Sequence, residues 1–405
     1  MDSVQTVSAS VALGNYLNNP SASYSITDTS SNVSKVLDNL NAMSDQISTI
    51  TLSDGAKAPL SLTFDQYNSN SDVLGKLTGA YSFAVTAVTI DDLLGLTTTT
   101  GTSLSFRDTH IGTVSIADSA ESLSGAVFDQ LQALLTAKKL GTVTVTDASS
   151  NLTLTASQLT ADAGVLKILG GNYGLEVTGV TASTAATVAK TAKLVLMDIS
   201  DTVANYVKNL DALQTIAATN KLGSVSFTDA GTGSSGPIVN IAAASFAKDL
   251  GAVKAIAQNV TLIVSGVTAA NAASVLQTPI NDINAVSQVS ITDTSSNVSK
   301  VLDNLNAMSD QISTITLSDG AKAPLSLTFD QYNSNSDVLG KLTGAYSFAV
   351  TAVTIDDLLG LTTTTGTSLS FRDTHIGTVS IADSAESLSG AVDLPPSSDP
   401  VVMLV

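Results

Sequence analysis

Apolar residues follow two alternating periods along this chain, and each period predicts one kind of element. After the strand-like segment Tyr24–Asp28, residues 29–43 carry apolar side chains three and four positions apart, which predicts an amphipathic helix with one buried face. The apolar positions of this stripe are Val33, Val36, Leu37, Leu40 and Met43. Residues 47–52 and 60–64 then alternate apolar with polar side chains and predict two strands, either a hairpin or successive strands of a solenoid.

The same order of elements continues and recurs. A second short helix is predicted at 72–77, a strand at 81–88, and a small Leu-rich helix after that strand. Equivalent helices are predicted at 161–169 and 248–257, and equivalent strands at 173–180 and 260–267. Each unit is therefore β-α-β-β-α-β-α over about 90 residues.

Internal repetition is the strongest signal in the sequence. Residues 25–127 recur without a change as residues 290–392, an identity of 103 residues. Recent duplication, homogenisation of a tandem array and deliberate duplication would each produce it. A shorter, diverged repeat begins with a strand that closes on an aspartate, at Asp28, Asp118, Asp198, Asp293 and Asp383.

These repeats predict an α/β repeat protein, an elongated solenoid-like rod of stacked units. A lone unit of this kind cannot cover its own apolar face, whereas stacked units bury it against each other. The predicted divisions are a partial N-terminal unit (1–24), repeat unit 1 (25–114), repeat unit 2 (115–194), repeat unit 3 (195–289), repeat unit 4 (290–379, identical to unit 1), the start of unit 5 (380–392) and a C-terminal tail (393–405).

Composition narrows the possible functions. The chain has 17 Lys and Arg against 35 Asp and Glu, for a net charge of −18, and its basic residues do not cluster, which excludes a nucleic-acid-binding surface. It has no cysteine and only two histidines, His110 and His375, which excludes disulfides, thiol chemistry and zinc sites built from Cys or His. No apolar run is long enough to predict a membrane span, and no N-terminal signal peptide is expected.

The aspartates that close the first strand of each unit are the candidate metal ligands. Each precedes a predicted helix, which favours an N-cap role: the carboxylate accepts helix amides at the positive end of the helix dipole. In units stacked in register, Asp28, Asp118, Asp198, Asp293 and Asp383 would also form a ladder of like charges that a bridging calcium ion would relieve. Calcium is the one cofactor considered. The same alternatives, with an Asx turn favoured, apply to the turn aspartates Asp54, Asp147, Asp229 and Asp319.

No catalytic or cofactor-binding residue is predicted, and the chain is not expected to be an enzyme. The two histidines occupy copies of one position, in the sequence RDTH at 107–110 and 372–375, and are interpreted as loop residues. Threonines at every second position, at 142–146 and 153–155, would present outward rows suited to a glycan or ice surface. Threonine is also a favourable strand residue, and that interpretation is preferred.

The C-terminal tail leaves the repeat pattern. It contains Pro395 and Pro396, and later Asp399 followed by apolar residues. This tail resembles the C-terminus of bacterial substrates of type I (ABC-transporter) secretion, and the phrases SITDT, LDNL, ITLSD and VTGV resemble the tandem-repeat regions of large secreted bacterial surface proteins, S-layer-like or adhesin-like. The resemblance implies an extracellular location at a bacterial cell surface and assigns no site residues.

Together these features predict an extracellular structural protein that self-assembles into a surface layer or filament through stacked repeats. Its main partner would be itself, in head-to-tail, non-closing contacts. The alternative is an adhesin stalk or binding module that recognises a glycan or ice surface through Thr-rich strand faces. A secreted hydrolase is a third possibility, and it is disfavoured because no candidate site stands out from the repeat.

Overall fold

The structure, a computed structural model, describes residues 4–100, 103–147, 150–229, 236–282, 284–365, 368–390 and 402–404. It confirms that the chain is a mixed α/β protein with several parallel sheets. The chain divides into two compact units: Met1–Val180 with Thr187–Met197, and Thr181–Ala186 with Asp198–Val405. Within the described ranges, every helix is too short or too polar to cross a membrane.

The first compact unit contains two parallel sheets. In spatial order, the strands of its first sheet are Gln5–Val7 (β1), Tyr24–Asp28 (β2), Ile47–Leu52 (β3) and Leu77–Thr78 (β5). Those of its second sheet are Leu169–Gly170 (β12), Leu140–Val145 (β10), Ile111–Asp118 (β9), Phe83–Val88 (β6) and Leu60–Thr63 (β4). In addition, Asn151–Thr155 (β11) pairs in parallel with Gly174–Val180 (β13), and Thr97–Thr100 (β7) pairs antiparallel with Ser103–Phe106 (β8).

The second compact unit is built in the same way. In spatial order, one sheet holds Ile238–Ala242 (β16), Thr261–Val267 (β17), Val286–Asp293 (β18), Ile312–Leu317 (β19) and Leu342–Thr343 (β21). The other holds Leu325–Thr328 (β20), Phe348–Val353 (β22), Ile376–Ile381 (β25) and Val402–Leu404 (β26), and Thr362–Thr365 (β23) forms a hairpin with Ser368–Phe371 (β24). Leu222–Phe227 (β15) lies in this unit, whereas Leu194–Asp201 (β14) contributes residues to both units.

The chain alternates between neighbouring sheets. After β3 in the first sheet it enters β4 in the second, returns to the first at β5 and crosses again to β6. The hairpin predicted as one alternative for 47–52 and 60–64 is therefore wrong, and these segments are successive strands of different sheets. Predicted repeat unit 1 thus supplies strands to two sheets, and the same alternation recurs from β19 to β22.

The helices are short, and most come in bent pairs. The single helix predicted over 29–43 is two helices, Ser30–Lys35 (α2) and Leu37–Ala42 (α3), which meet at Val36. The other bent pairs are Phe64–Ser69 (α4) with Ser71–Leu74 (α5), Ala156–Ala161 (α9) with Ala163–Ile168 (α10), Val203–Lys208 (α12) with Leu210–Ala217 (α13), Ala243–Lys248 (α14) with Leu250–Lys254 (α15), Ser295–Lys300 (α17) with Leu302–Asn306 (α18), and Phe329–Ser334 (α19) with Ser336–Leu339 (α20). The remaining helices are Ala9–Asn18 (α1), Ile90–Leu96 (α6), Ala120–Leu123 (α7), Ala126–Thr136 (α8), Ala185–Val188 (α11), Ala272–Leu276 (α16), Ile355–Leu361 (α21) and Ala385–Gly390 (α22).

Threonine starts many of these helices. The Thr29 side chain accepts the N–H of Asn32, three residues further on. Thr63 and Thr89 likewise accept the N–H of the residue three positions further on, each within a complete capping box. Such a cap is worth about 1 kcal/mol of helix stability. The caps explain where these short helices start. The apolar stripe on one face of each helix explains why it packs on a sheet, as α2 packs on β4.

Candidate functional site

Carboxylates at the ends of the strands form the most regular polar feature of the molecule. We call them the strand-end aspartates: Asp28, Asp54, Asp118, Asp147, Asp201, Asp229, Asp293, Asp319 and Asp383. Each accepts a backbone N–H from the start of the helix or helical turn that precedes its strand. Asp28 Oδ2 lies 3.0 Å from Ala9 N, and Asp118 Oδ2 lies 2.8 Å from Ile90 N. At each of these nine positions, one carboxylate therefore joins a strand to the preceding helix.

A buried serine strengthens the contact at Asp54. Ser30 begins α2 and is 1 % exposed, and both its N–H and its hydroxyl donate to the Asp54 carboxylate, the hydroxyl at 2.8 Å. The identical copy repeats this arrangement with Ser295 and Asp319. The Ser30 hydroxyl also lies 2.7 Å from Ala58 O, so the Asp54 carboxylate matters most as the acceptor for the Ser30 N–H at the start of the helix.

The N-cap role predicted for the aspartates that close the first strand of each unit is wrong by one residue at Asp28, Asp118 and Asp293, where the caps are Thr29, Ser119 and Thr294. At the start of α2 the cap is Thr29, and Asp28 instead accepts the N–H of Thr29 and the side-chain amide of Asn32, both at 2.8 Å. The other carboxylate oxygen of Asp28 binds the preceding helix at Ala9. The carboxylate therefore bridges two successive helices, a role that a simple N-cap does not have.

Asp198 is not equivalent to the other four candidate calcium ligands. The strand β14 continues to Asp201, and it is Asp201 that accepts the N–H groups of Ala182 and Thr202. Asp198 lies within the strand and accepts the N–H and hydroxyl of Ser224, at 2.7 and 2.9 Å. The alignment of Asp198 with Asp28 is therefore wrong, because the strand runs three residues further.

Hydrogen bonds hold the pKa of Asp28 below its ordinary value. The side-chain amide of Asn32 is the main cause that lowers the pKa of Asp28, with backbone amides adding to it against the effect of burial. No group of three or more His, Asp or Glu side chains that could hold a metal ion is found in the ranges that the structure describes. In the described structure, Asp28, Asp118, Asp293 and Asp383 each accept backbone amides, and Asp28 and Asp293 also accept the side-chain amides of Asn32 and Asn297.

A cluster of aromatic side chains surrounds His110. Its ring stacks on Tyr81 with centroids 4.2 Å apart, and Phe83 packs edge-on against Tyr67 at 5.8 Å. Asp108 lies at the centre: one oxygen accepts the hydroxyl of Tyr67 at 2.9 Å, and the other lies 3.0 Å from His110 Nδ1. The identical copy builds the same cluster from Tyr332, Tyr346, Phe348, Asp373 and His375.

This cluster borders a cleft of about 370 Å³, lined among others by Tyr67, Tyr81 and Asp108. Burial and the hydrogen bond to Asp108 raise the pKa of Tyr67 to about 12, so its phenol stays a proton donor. The lining of the cleft offers a carboxylate and phenols to a small polar ligand, and the His110 ring stacks on the Tyr81 of that lining. Sequence reasoning placed His110 in a loop and missed the cluster, because residues 67, 81 and 108 meet only in the folded sheet.

Rows of hydroxyl groups cross the outward faces of the sheets. Ser25 and Thr49 share a hydrogen bond of 3.1 Å, as do Thr51 and Thr78. In the second compact unit the equivalent pairs are Ser290 with Thr314 and Thr316 with Thr343. The predicted Thr-rich faces at 142–146 and 153–155 belong to β10 and β11, where Thr142 and Thr155 are exposed.

Most of the tail at 393–405, including Asp399, lies outside the described residues; its residues 402–404 form β26 beside β25. Comparison with protein-family models, with curated proteins and with solved structures finds no match to this chain.

Proposed function

We propose that this chain is an extracellular structural protein, a solenoid-like rod of stacked α/β units that associates with copies of itself into a surface layer or filament. The proposal rests on one observation above all: strand segments of identical sequence, such as 25–28 and 290–293, pair with different neighbouring strands on the same side. In β2, Ile26 lies opposite Val7 of β1, whereas the identical Ile291 of β18 lies opposite Val267 of β17. Main-chain hydrogen bonds therefore suffice to add a strand at this edge.

The other side of the repeat supports the same reasoning. In β9, Val114 pairs with Leu140 of β10, and the identical Val379 of β25 pairs with Val402 of β26. The partners differ in sequence and length, yet the pairing is parallel in both copies. An edge that accepts unlike strands is suited to extension by another molecule, since the main chain supplies the contacts.

The strand-end aspartates suit a load-bearing array. Each joins a strand to the preceding helix, so neighbouring turns are connected by a charge-assisted hydrogen bond as well as by the sheet. The net charge of −18 keeps such an array soluble and makes divalent cations natural bridges between copies. The resemblance to type I secreted surface proteins favours an extracellular location for it.

Sedimentation velocity over a concentration series tests the proposal. Because Gln5 N donates to Ser23 O, the N–H of Thr6 points away from β2, toward the side of β1 on which no strand of the described residues pairs. Thr6→Pro therefore removes an edge donor and leaves the pairing with β2 in place. We expect the natural chain to form larger species as concentration rises, Thr6→Pro to form fewer of them, and Thr6→Val, which keeps the N–H, to match the natural chain. A natural chain that remains monomeric throughout would contradict the proposal.

The hydroxyl rows favour a second candidate, an adhesin stalk that recognises a glycan or ice surface. The regular pairs such as Thr51 with Thr78 present hydroxyls at the spacing of neighbouring strands. A glycan array and an ice-recrystallisation assay test this candidate. Binding that is lost in Thr51→Val with Thr78→Val would support it, and silence in both assays would remove it.

A further inference from the structure

One polar position is buried at the bend of the second helix pair in each repeat. The residue that ends one helix and starts the next is an asparagine in two repeats and an aspartate in the other two: Asn70, Asp162, Asp249 and Asn335. Asp249 is 0 % exposed and the other three are 3 % exposed. Each faces an aspartate of the preceding helices, namely Asp38, Asp129, Asp211 or Asp303.

The asparagine copies show what this position needs. Asn70 Nδ2 donates to Asp38 Oδ1 at 2.7 Å, and Asn335 Nδ2 donates to Asp303 Oδ1 at the same distance. A neutral, buried amide thus supplies a hydrogen to a carboxylate that itself reaches solvent. The pairing is complete without any titration.

The aspartate copies lack that hydrogen when both carboxyls are ionised. Asp162 Oδ2 and both carboxylate oxygens of Asp249 are buried without a hydrogen-bond partner. Burial, followed by the facing Asp129, raises the pKa of Asp162 to about 6. Burial and the facing Asp211 likewise raise the pKa of Asp249.

The other polar groups near these sites do not donate a hydrogen bond to Asp162 or Asp249. Lys248 Nζ binds Asp211 at 2.9 Å, and the hydroxyl of Tyr206 on α12 donates to Ala252 O. At the other site the side-chain amide of Gln158 donates to Asp129 and to Gly125 O. The groups that face Asp249 are thus Asp211, Lys248 and Tyr206, and the titratable group that faces Asp162 is Asp129.

We propose that Asp162 and Asp249 are proton-binding sites: in mildly acidic solution each takes up a proton in the folded chain and donates an O–H hydrogen bond to Asp129 or Asp211, as Asn70 donates an N–H to Asp38. The two repeats that contain them are pH-sensitive elements within an array whose asparagine repeats are not. A proton fits better than a metal ion, because the asparagine copies show direct 2.7 Å contact at this position. Calcium would need oxygens about 2.3–2.6 Å from an ion placed between the two groups.

The direction of the effect follows from the folded and unfolded states. An unfolded aspartate releases its proton near the ordinary value of 3.8, whereas folded Asp162 keeps it until about pH 6. Stability from this site is therefore complete below pH 3.8, falls between pH 3.8 and about 6, and stays low above that window. Since the two values for Asp162 differ by about two units, the unfolding equilibrium constant should rise about a hundredfold across the window because of this site, and Asp249 should change it in the same direction.

Denaturant unfolding of the full chain at pH 4.5 and pH 7.5 tests the proposal. We expect the double variant Asp162→Asn with Asp249→Asn to be more stable than the natural chain at pH 7.5, and the difference to shrink at pH 4.5. The reverse change, Asn70→Asp with Asn335→Asp, should add pH dependence in the same direction. Asp72→Asn, on an exposed residue of α5, is the matched control and should add none.

Infrared spectroscopy gives a readout that does not depend on unfolding. A protonated carboxyl band should be present in the natural chain at pH 5.5 and be reduced in the double variant. A band that is unchanged in the variant, or a variant no more stable than the natural chain at pH 7.5, would overturn the proposal. Calcium chloride that stabilises the natural chain but not the double variant at pH 7.5 would also overturn it, in favour of a cation site.

Discussion

Replacing Asp201 by asparagine removes the charge from the strand-end aspartate that is 7 % exposed. Its carboxylate accepts three hydrogen bonds: from Ala182 N at 2.9 Å, from Thr202 N at 2.7 Å and from the side-chain amide of Asn205 at 2.9 Å. The substitution Asp201→Asn keeps the size and shape of the side chain. It therefore isolates the charge and the second acceptor oxygen from packing.

The expected loss can be estimated from these contacts. An asparagine has one acceptor oxygen, so its NH₂ group faces at least one of the donors that the carboxylate served. A hydrogen bond to a charged group contributes about 1.5–3 kcal/mol, and a buried donor left without a partner costs about 1–3 kcal/mol. We therefore expect Asp201→Asn to lower the free energy of unfolding by about 2–4 kcal/mol at pH 7.

The effect should depend on pH in a defined direction. Burial raises the pKa of Asp201, but the hydrogen bonds from Asn205, Thr202 and Ala182 outweigh burial and hold the pKa below the ordinary value of 3.8. A carboxyl with a lowered pKa stabilises the fold above the unfolded value and loses that contribution as the pH falls through the folded value. The difference between natural chain and variant should thus be complete at pH 7 and narrow below pH 3.8.

Urea unfolding followed by circular dichroism measures this difference at pH 7, 5 and 3.5. Asp310→Asn, at an exposed residue of the second compact unit, is the control and should change stability little. If Asp201→Asn changed stability no more than this control at pH 7, or by the same amount at all three pH values, the bridging role of the strand-end aspartates would be refuted.

Two further predictions use positions that the chain offers in matched form. Tyr67→Phe and Tyr332→Phe each remove a hydroxyl that donates to an aspartate at 2.9 Å, so each should lower the free energy of unfolding by about 1 kcal/mol. Because the two clusters are identical, the double variant should lose the sum of the two single losses. Thermal unfolding of all three variants checks this. Gly171 has a φ of +95°, and a Cβ added there by Gly171→Ala would press against the Val145 carbonyl. This variant should destabilise the chain much more than Gly179→Ala, where φ is +67° and nothing lies within 4 Å of the added Cβ. Equal melting temperatures for the two variants would contradict this prediction.

Local pattern predicts which helix faces are buried, but it does not predict where the helices bend or how the strands are arranged. The apolar stripe at 29–43 correctly predicts a buried face, since Val33, Leu37 and Leu40 are all buried. The bend at Val36 was missed, because the period of the stripe continues across it. Nor could alternation show that β3 and β4 enter different sheets, since pairing between distant strands leaves no mark on their own sequences.

At the candidate site, the sequence held one signal that was not used. Asp28 and Asp293 are each followed by the threonine that caps the next helix, and Asp201 is followed by Thr202 in the same way, whereas Asp198 precedes Ile199. The aromatic cluster offered no comparable signal. Its tyrosines and His110 are brought together by the pairing of β4, β6 and β9, which is a property of the whole sheet.

Negative-stain electron microscopy of the purified chain at high concentration tests the central claim most directly, with calcium present and again after chelation. If the chain self-assembles through its repeats, the images should contain ordered filaments or sheets with a regular axial repeat. Dispersed particles of single-chain size under both conditions would contradict it.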